Sequence, residues 1–209
     1  MSEVQLLVIA KAPVPGRTKT RLGPAFGPEE AARLAEAALT DTLQAVAATP
    51  AARRVLVLDG EPGPWLPPGF DVLPQRGNGL ASRLGAAFAD AGAPSLLIGM
   101  DTPQVTPDLL ADCASALCRP GIDAVLGEAH DGGWWAIGMR QAWPEVFEQV
   151  PMSTPTTSSH QRLRLAALGM RWTELPPLRD VDTPEDAYAV ADLAPDTRFA
   201  AVLAQMGGS

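Results

Sequence analysis

Residues 4–22 read VQLLVIAKAPVPGRTKTRL, an apolar run followed at once by a basic loop rich in Gly and Pro. The run at residues 4–10 has the length and the β-branched content of a buried strand. Open α/β sheets bind phosphorylated ligands at the carboxyl ends of their strands, which is where this loop follows. The stretch therefore predicts an α/β fold with an anion-binding loop after its first strand.

The basic loop supplies the predicted phosphate ligands, which are Lys11, Gly16, Arg17, Lys19 and Arg21. Arginine offers a rigid fork of donors, lysine offers a compact charge, and the N–H groups of a glycine turn can point at phosphate oxygens. No acidic residue interrupts residues 11–22. We predict that the loop is the anion-binding half of a site. Alternatively, the prolines and Gly16 only turn the chain and the charges are solvated.

Composition limits the partners of the chain. Its 209 residues, 46% hydrophobic, are enough for one good core, and we expect a single domain over residues 1–209. A net charge of −8 argues against a nucleic-acid surface, so the partners should be small molecules. No apolar run approaches the ~20 residues that span a bilayer, and residues 1–20 lack the layout of a signal peptide. We expect a cytoplasmic protein without a membrane partner.

The cysteines and histidines suggest no chemistry of their own. Cys113 and Cys118 lie five residues apart on a predicted helix and cannot form a disulfide framework. We expect both to be core thiols in a reducing compartment. Neither His130 nor His160 has a triad-like setting, and we assign them no catalytic role.

Apolar runs alternate with helical patterns along most of the chain, which is typical of strand-helix-strand units and a mainly parallel sheet. Strands are predicted near residues 4–10, 55–58, 72–73, 95–99, 124–127, 134–138 and 171–175. Helices are predicted over residues 28–48, to about residue 91 after Leu80, from Pro107, around residues 161–168, and from Pro184 onward.

Three aspartates are candidate metal ligands. Asp101 directly follows the most convincing central strand, so we expect its side chain at the carboxyl edge that carries the basic loop. Mg²⁺ is held by one or two carboxylates together with substrate oxygens. Asp180 and Asp182 are the predicted partners of Asp101, because they would point the same way in an extended segment and a cation would offset their repulsion. Alternatively, Asp101 only caps a turn before Pro103.

Three further segments are predicted recognition elements. Gln75, Asn78 and Gly79 can offer amide and backbone groups to a nucleobase, although Asn-Gly is also an ordinary turn. The turn Asp131-Gly132-Gly133 can bring backbone close to a ligand or simply close a hairpin, and only one of Trp134 and Trp135 can line a pocket. The hydroxyl-rich residues 153–159 are either a flexible connection or an acceptor-binding lid.

Taken together, the motifs between Lys11 and Asp186 resemble a known family, the small GT-A-type transferases. This family is also called radical-SAM/selenodomain-associated transferase 1 and DUF2064. The resemblance rests on KxPxPGxxKTRL, Gly-x-Asp-x-Pro, Asp-Gly-Gly and DxDTPED, in that order. Molybdenum cofactor guanylyltransferase and phospholactate guanylyltransferase are more distantly similar. In one departure, Met100 and Thr102 flank Asp101, so the Asp-x-Asp motif of many GT-A glycosyltransferases is missing.

The resemblance implies a Rossmann-like GT-A three-layer sandwich that binds a nucleoside phosphate with a divalent metal, Mg²⁺ or Mn²⁺. It implies that the basic loop contacts the phosphates, that Gln75 to Leu80 lie near the base, and that Asp101 with Asp182 or Asp180 holds the metal. Arg17, Lys19 and Asp101 are then the catalytic candidates. Asp131, Gly132, Gly133 and Trp134 are the candidates for acceptor binding.

Three functions remain open from the sequence. The first is nucleotidyl transfer from a nucleoside triphosphate to a small phosphorylated acceptor, with release of pyrophosphate. The second is glycosyl transfer from a nucleotide sugar, and the third is nucleotide binding without catalysis. The basic loop favours the first, because charge develops on phosphate oxygens and fixed cations stabilise it.

Overall fold

The computed structural model describes residues 3–206 and shows one sheet covered by helices on both faces. The strands are β1 (Gln5–Lys11), β2 (Arg54–Asp59), β3 (Asp71–Pro74), β4 (Ser95–Gly99), β5 (Ala124–Ala129), β6 (Trp134–Met139) and β7 (Trp172–Leu178). The α-helices are α1 (Gly23–Phe26), α2 (Pro28–Ala48), α3 (Leu80–Ala91), α4 (Pro107–Leu117), α5 (Thr157–Ala167), α6 (Pro184–Leu193) and α7 (Arg198–Met206). A 3₁₀ turn covers Pro144–Phe147.

The strands are ordered β3-β2-β1-β4-β6-β5-β7, and only β6 runs antiparallel to its neighbours. This confirms the predicted α/β fold with a mostly parallel sheet. The chain moves outward from β1 in one direction to β2 and β3, and in the other direction to β4. The carboxyl ends of β1 and β4 therefore form a topological switch point, where α/β sheets open a crevice for ligands.

Alternating side chains of β1 divide the core into two layers. Leu6 and Val8 are fully buried in the cluster that includes Leu39 of α2 and Leu110 of α4. Leu7 points to the opposite face, in the cluster that includes Phe88 of α3. The period of two follows from the strand geometry, and helices on both faces produce the predicted three-layer sandwich.

A third hydrophobic cluster packs segments from early and late in the sequence against each other. Leu22 at the end of the basic loop and Val181 between the two late aspartates are both buried there, with Phe199 of α7 among their cluster partners. Thr183 caps α6 in a capping box with Asp186, which confirms the predicted helix start. These contacts fix residues 17–22 and 180–183 close to each other.

Three local predictions are wrong. The helix predicted around residues 161–168 begins earlier, at Thr157, whose Oγ1 orders the preceding turn by accepting from Thr154 N at 3.1 Å and donating to Pro151 O at 2.7 Å. Strand β7 continues to Leu178, beyond the predicted residue 175, because prolines are tolerated on an edge strand that has no further neighbour to bond. Cys113 is a buried thiol as predicted, but Cys118 at the end of α4 is exposed.

The single domain over residues 1–209 stays a prediction, and its first two and last three residues lie outside the described residues. Among residues 3–206, every helix is too short or too polar to cross a bilayer.

Gly132 is expected to be intolerant of a side chain. Its φ of +86° lies in the left-handed region, and an added Cβ would collide with the carbonyl group of Pro155. We predict that Gly132→Ala lowers the free energy of unfolding by roughly 2–4 kcal/mol, because strain and a backbone clash add. Denaturant unfolding measures this.

Gly69→Ala is the matched control, since Gly69 has a similar φ of +88° but open space around its Cβ position. The control should lose only about 1 kcal/mol. Equal losses in both variants would show that the contact with Pro155 does not matter.

Candidate active site

A cavity of about 620 Å³ opens over the carboxyl ends of β1 and β4. It is lined by residues from the basic loop, from the end of β4, from the start of α3, from the β5–β6 turn, and from the segment before α6. Of the residues predicted for the site, the lining includes Lys11, Arg17, Lys19, Arg21, Gln75, Gly79, Leu80, Asp101, Asp131, Gly133, Trp134, Asp180 and Asp182. Gly16, Asn78 and Gly132 are not part of it.

Lys19 lies between Asp101 and Asp182, two of the three aspartates that the sequence predicts as metal ligands. Its Nζ is 2.8 Å from Asp101 Oδ2 and 2.9 Å from Asp182 Oδ1, and the side chain is only 8% exposed. Burial disfavours the charged ammonium, but the two carboxylates outweigh this effect and raise the pKa of Lys19 above its usual value. Lys19 therefore stays charged and joins three separate segments of the chain.

The backbone supports the same arrangement. Val181 N donates to Asp101 O at 2.9 Å, which ties the end of β4 to the segment that carries Asp180 and Asp182. Thr18, which the sequence reading overlooked, is buried beside Lys19 and donates from Oγ1 to Ala12 O at 2.9 Å. Thr18 thus holds the loop from within, while the side chains of Arg17 and Arg21 remain exposed.

Asp180, Asp182 and Asp131 form an acidic triad whose nearest carboxylate oxygens lie within 4.8 Å of one another. Burial raises the pKa of Asp180 to about 7, and the negative charges of Asp131 and Asp182 add to this effect. Three carboxylates this close are a suitable donor set for a hard divalent cation. The sequence predicts that Asp131 binds the acceptor substrate. Only the fold shows that it belongs to the acidic triad.

Asp182 belongs both to the triad and to the contacts of the basic loop. Arg21 Nη1 lies 3.0 Å from Asp182 Oδ2, while Lys19 holds the other oxygen. Lys11 and Arg17 line the cavity and are exposed, and neither has an ion pair within residues 3–206. Two cations are therefore free for an anionic ligand.

Gln75 has a structural role that the sequence around it does not indicate. Its Nε2 donates to Ala10 O at 2.8 Å and to Val57 O at 3.2 Å, so the amide links the ends of β1 and β2. Its Oε1 accepts from Arg83 Nη1, which also pairs with Asp59. The base contact predicted for Gln75 would have to use an amide that already has partners. Arg83 is a further cation that lines the cavity, and the sequence did not predict it.

Trp134 lines the cavity, whereas Trp135 is 2% exposed in the core. This confirms that only one of the two tryptophans can line a pocket. Met152, Ser153, Thr154 and Thr157 also line the cavity. Residues 153–156 are a connecting segment and Thr157–Ser159 are the first turn of α5, so only the first part of the hydroxyl-rich segment is a loop.

The buried carboxyl of Asp180 makes stability depend on pH. Its folded pKa of about 7 exceeds the ordinary 3.8, so the folded state binds more protons in between and the free energy of unfolding falls as the pH rises through this window. We predict that Asp180→Asn is more stable than the wild type by about 1–2 kcal/mol near pH 8, after allowance for partial exposure, with little difference near pH 4.

Denaturant unfolding in the presence of a chelator measures this difference. Asp192→Asn is the control, because Asp192 is an exposed acid of α6 outside the cavity. A stability difference for Asp180→Asn that does not change with pH would contradict the prediction.

Comparison with known proteins agrees with this geometry. Residues 34–154 match the family described as "Uncharacterized protein conserved in bacteria (DUF2064)". The phosphoenolpyruvate guanylyltransferase of Conexibacter woesei is 31% identical over 190 residues, which cover 84% of this chain and 82% of that relative.

Solved structures share the fold. A proposed nucleotide-diphospho-sugar transferase from Desulfovibrio desulfuricans G20 superimposes with a TM-score of 0.87 at 27% identity, over 98% of this chain and 95% of that one. CMP:2-keto-3-deoxy-manno-octonic acid synthetase complexed with CTP superimposes with a TM-score of 0.61 over 93% and 99% of the two chains. At 13% identity the second likeness shows the fold alone.

The family match covers more than half of the chain, and the guanylyltransferase match covers more than four fifths of it. The relative and the two solved structures named above carry the names of transferases or synthetases, and the two solved structures share the three-layer α/β fold of this chain. The chain belongs to the DUF2064 family.

Proposed function

We propose that the chain is a metal-dependent nucleotidyltransferase, which transfers a nucleotide from a nucleoside triphosphate to a small phosphorylated acceptor and releases pyrophosphate. The observation that carries the proposal is the contact of Lys19 with Asp101 and Asp182 inside a cavity at the switch point of the sheet. The 31% identity to a phosphoenolpyruvate guanylyltransferase supports it.

The cations of the basic loop are suited to hold the triphosphate. Arg17 and Lys11 are free to bind phosphate oxygens, and Arg21 is exposed enough to turn toward them. Positive groups fixed before the reaction stabilise the charge that develops on the phosphate oxygens in the transition state. Arg17 and Lys19 are accordingly proposed as catalytic groups, together with Asp101.

The carboxylates suit a divalent cation. Asp180 and Asp182 belong to the triad of close carboxylates, and Asp101, which lies outside the triad, has a buried Oδ1 without a hydrogen-bond partner within residues 3–206. Mg²⁺ or Mn²⁺ held there would neutralise phosphate charge and orient the α-phosphate. Asp131 is a further candidate ligand because it belongs to the triad.

The proposed reaction needs no general base, because the attacking phosphate oxygen is already an anion. An oxygen of the acceptor phosphate attacks the α-phosphorus and forms a new P–O bond, while the bond from the α-phosphorus to the oxygen bridging to the β-phosphate breaks. Pyrophosphate leaves with that electron pair. The chain therefore has to bind, orient and neutralise, which agrees with a site that has no histidine in its lining among the described residues.

The two substrates would use different parts of the cavity lining. Gln75, Gly79 and Leu80, which line the cavity at and before the start of α3, are proposed to bind the base, and Asn78 directly precedes Gly79. Asp131, Gly133 and Trp134 also line the cavity and are proposed to bind the acceptor, with Gly132 shaping the turn. Guanosine triphosphate is the first donor to test, because the named relative is a guanylyltransferase.

Glycosyl transfer from a nucleotide sugar is the second candidate. The similarity to a proposed nucleotide-diphospho-sugar transferase favours it. The missing Asp-x-Asp at Met100-Asp101-Thr102 and the free cations of the basic loop favour nucleotidyl transfer instead. The products distinguish the two reactions, since only nucleotidyl transfer releases pyrophosphate.

Pyrophosphate release tests the proposed function directly. Each nucleoside triphosphate is incubated with Mg²⁺ and a panel of small phosphorylated acceptors, phosphoenolpyruvate included. We expect release with at least one pair, and Asp101→Asn should reduce its kcat/KM by about a hundredfold or more because a charge-stabilising ligand is lost.

Asp108→Asn is the matched control, since Asp108 is an exposed acid in the first turn of α4. No release with any pair would contradict the proposal. Hydrolysis of a nucleotide sugar would then favour glycosyl transfer, and nucleotide binding that ignores both Mg²⁺ and Asp101→Ala would favour a binding module.

Arg17 gives a second prediction. Because its guanidinium has no ion pair within residues 3–206 and lines the cavity, Arg17→Met should raise the KM for the nucleotide about tenfold through loss of a charge-assisted hydrogen bond. Steady-state kinetics measure this. Arg76→Met removes an exposed arginine that pairs with Asp90 outside the cavity and should leave the KM unchanged. Equal effects of the two variants would contradict a role for Arg17 in binding.

A further inference from the structure

Lys19 is held more firmly than phosphate binding alone would require. Both of its ion pairs are shorter than 3.0 Å, and its side chain is 8% exposed whereas Arg21 is 69% exposed. Its backbone has a φ of +50°, an unfavourable conformation for a residue with a Cβ. The local structure holds this strained geometry so that the ammonium lies between the two carboxylates.

The position of the ammonium matters because the same carboxylates are the proposed metal ligands. Asp182 has both oxygens engaged, one by Lys19 and the other by Arg21. Asp101 has one oxygen on Lys19, and its buried Oδ1 has no partner within residues 3–206. Two nearby carboxylates repel each other, and a shared cation removes that cost. In the free protein, Lys19 supplies that cation.

We propose that Lys19 is a placeholder that occupies the cation position between Asp101 and Asp182 and keeps these two carboxylates from holding a divalent metal together in the nucleotide-free protein. The inference rests on the proposed function only in taking these two carboxylates as metal ligands. It assigns Lys19 a positioning role before the reaction, in addition to any contact with phosphate.

The physical consequence is an order of binding. A divalent cation arriving alone has to displace the ammonium, which then loses both ion pairs inside a largely buried site. A nucleotide that arrives with its cation offers phosphate oxygens to Lys19 and Arg21 at the same time as it frees Asp182. Metal affinity at Asp101 and Asp182 should therefore be weak without nucleotide, since only a small fraction of the protein has this pair of carboxylates open.

Mn²⁺ binding to the nucleotide-free protein tests this with no need for turnover. Mn²⁺ is titrated into wild type, Lys19→Met and Lys11→Met, and bound metal is followed by electron paramagnetic resonance. Lys11→Met is the matched control, because it removes the same charge from the cavity lining without breaking an ion pair found within residues 3–206. We expect Lys19→Met to bind Mn²⁺ at least about tenfold more tightly than wild type, and Lys11→Met to change by no more than about twofold. Equal affinity of the Lys19→Met and Lys11→Met variants would overturn the proposal.

A second measurement uses the wild-type chain and does not depend on the folding of a variant. Acetylation of Lys19 by an amine-specific reagent is measured by mass spectrometry, without metal and at saturating Mn²⁺. The proposal expects slow labelling without metal and at least about fivefold faster labelling with Mn²⁺, since the displaced ammonium becomes accessible. Lys19 that stays protected while Mn²⁺ binds would overturn it. Neither measurement involves pyrophosphate release, so failure here is distinguishable from failure of the proposed function.

Discussion

The site depends on one buried ammonium that is shared by two carboxylates from distant parts of the chain. Lys19 comes from the loop after β1, Asp101 from the end of β4 and Asp182 from the segment before α6. Without the ammonium, the two acids would face each other partly desolvated, which is costly. The contact therefore has a structural effect and a chemical effect, because it gathers the three segments and places the charges that a triphosphate and a metal would use.

The hydrophobic core makes this contact possible. Leu22 and Val181 are neighbours in sequence of Arg21 and Asp182, and both are fully buried in the cluster between α2, α6 and α7. The hydrogen bond from Val181 N to Asp101 O adds a backbone tether to the central sheet. The polar groups of the site are thus attached to residues whose positions are set by packing, and a preorganised site needs this kind of support.

The fold and most of the residues that line the cavity could be predicted from the sequence, because both follow from local patterns. The alternation of apolar residues indicated the strands, Pro184 indicated the start of α6, and the position of Asp101 after a buried strand indicated its place at the carboxyl edge.

The contacts between these residues could not be predicted, because they depend on how distant segments meet. Asp131 joined the acidic triad and Gln75 was engaged by the ends of β1 and β2 for that reason. The exposure of Cys118 likewise follows from where α4 ends, and the residue type gives no sign of it.

The basic loop and the late aspartates are proposed to form one site for a nucleotide with its metal. The most direct measurement is a crystal structure with Mn²⁺ and a nonhydrolysable guanosine triphosphate analogue, with the metal located by its anomalous scattering. We expect a peak within bonding distance of Asp101 and Asp182, with Lys19 turned toward a phosphate. A peak bound by neither carboxylate, or a nucleotide bound on another face of the sheet, would contradict it.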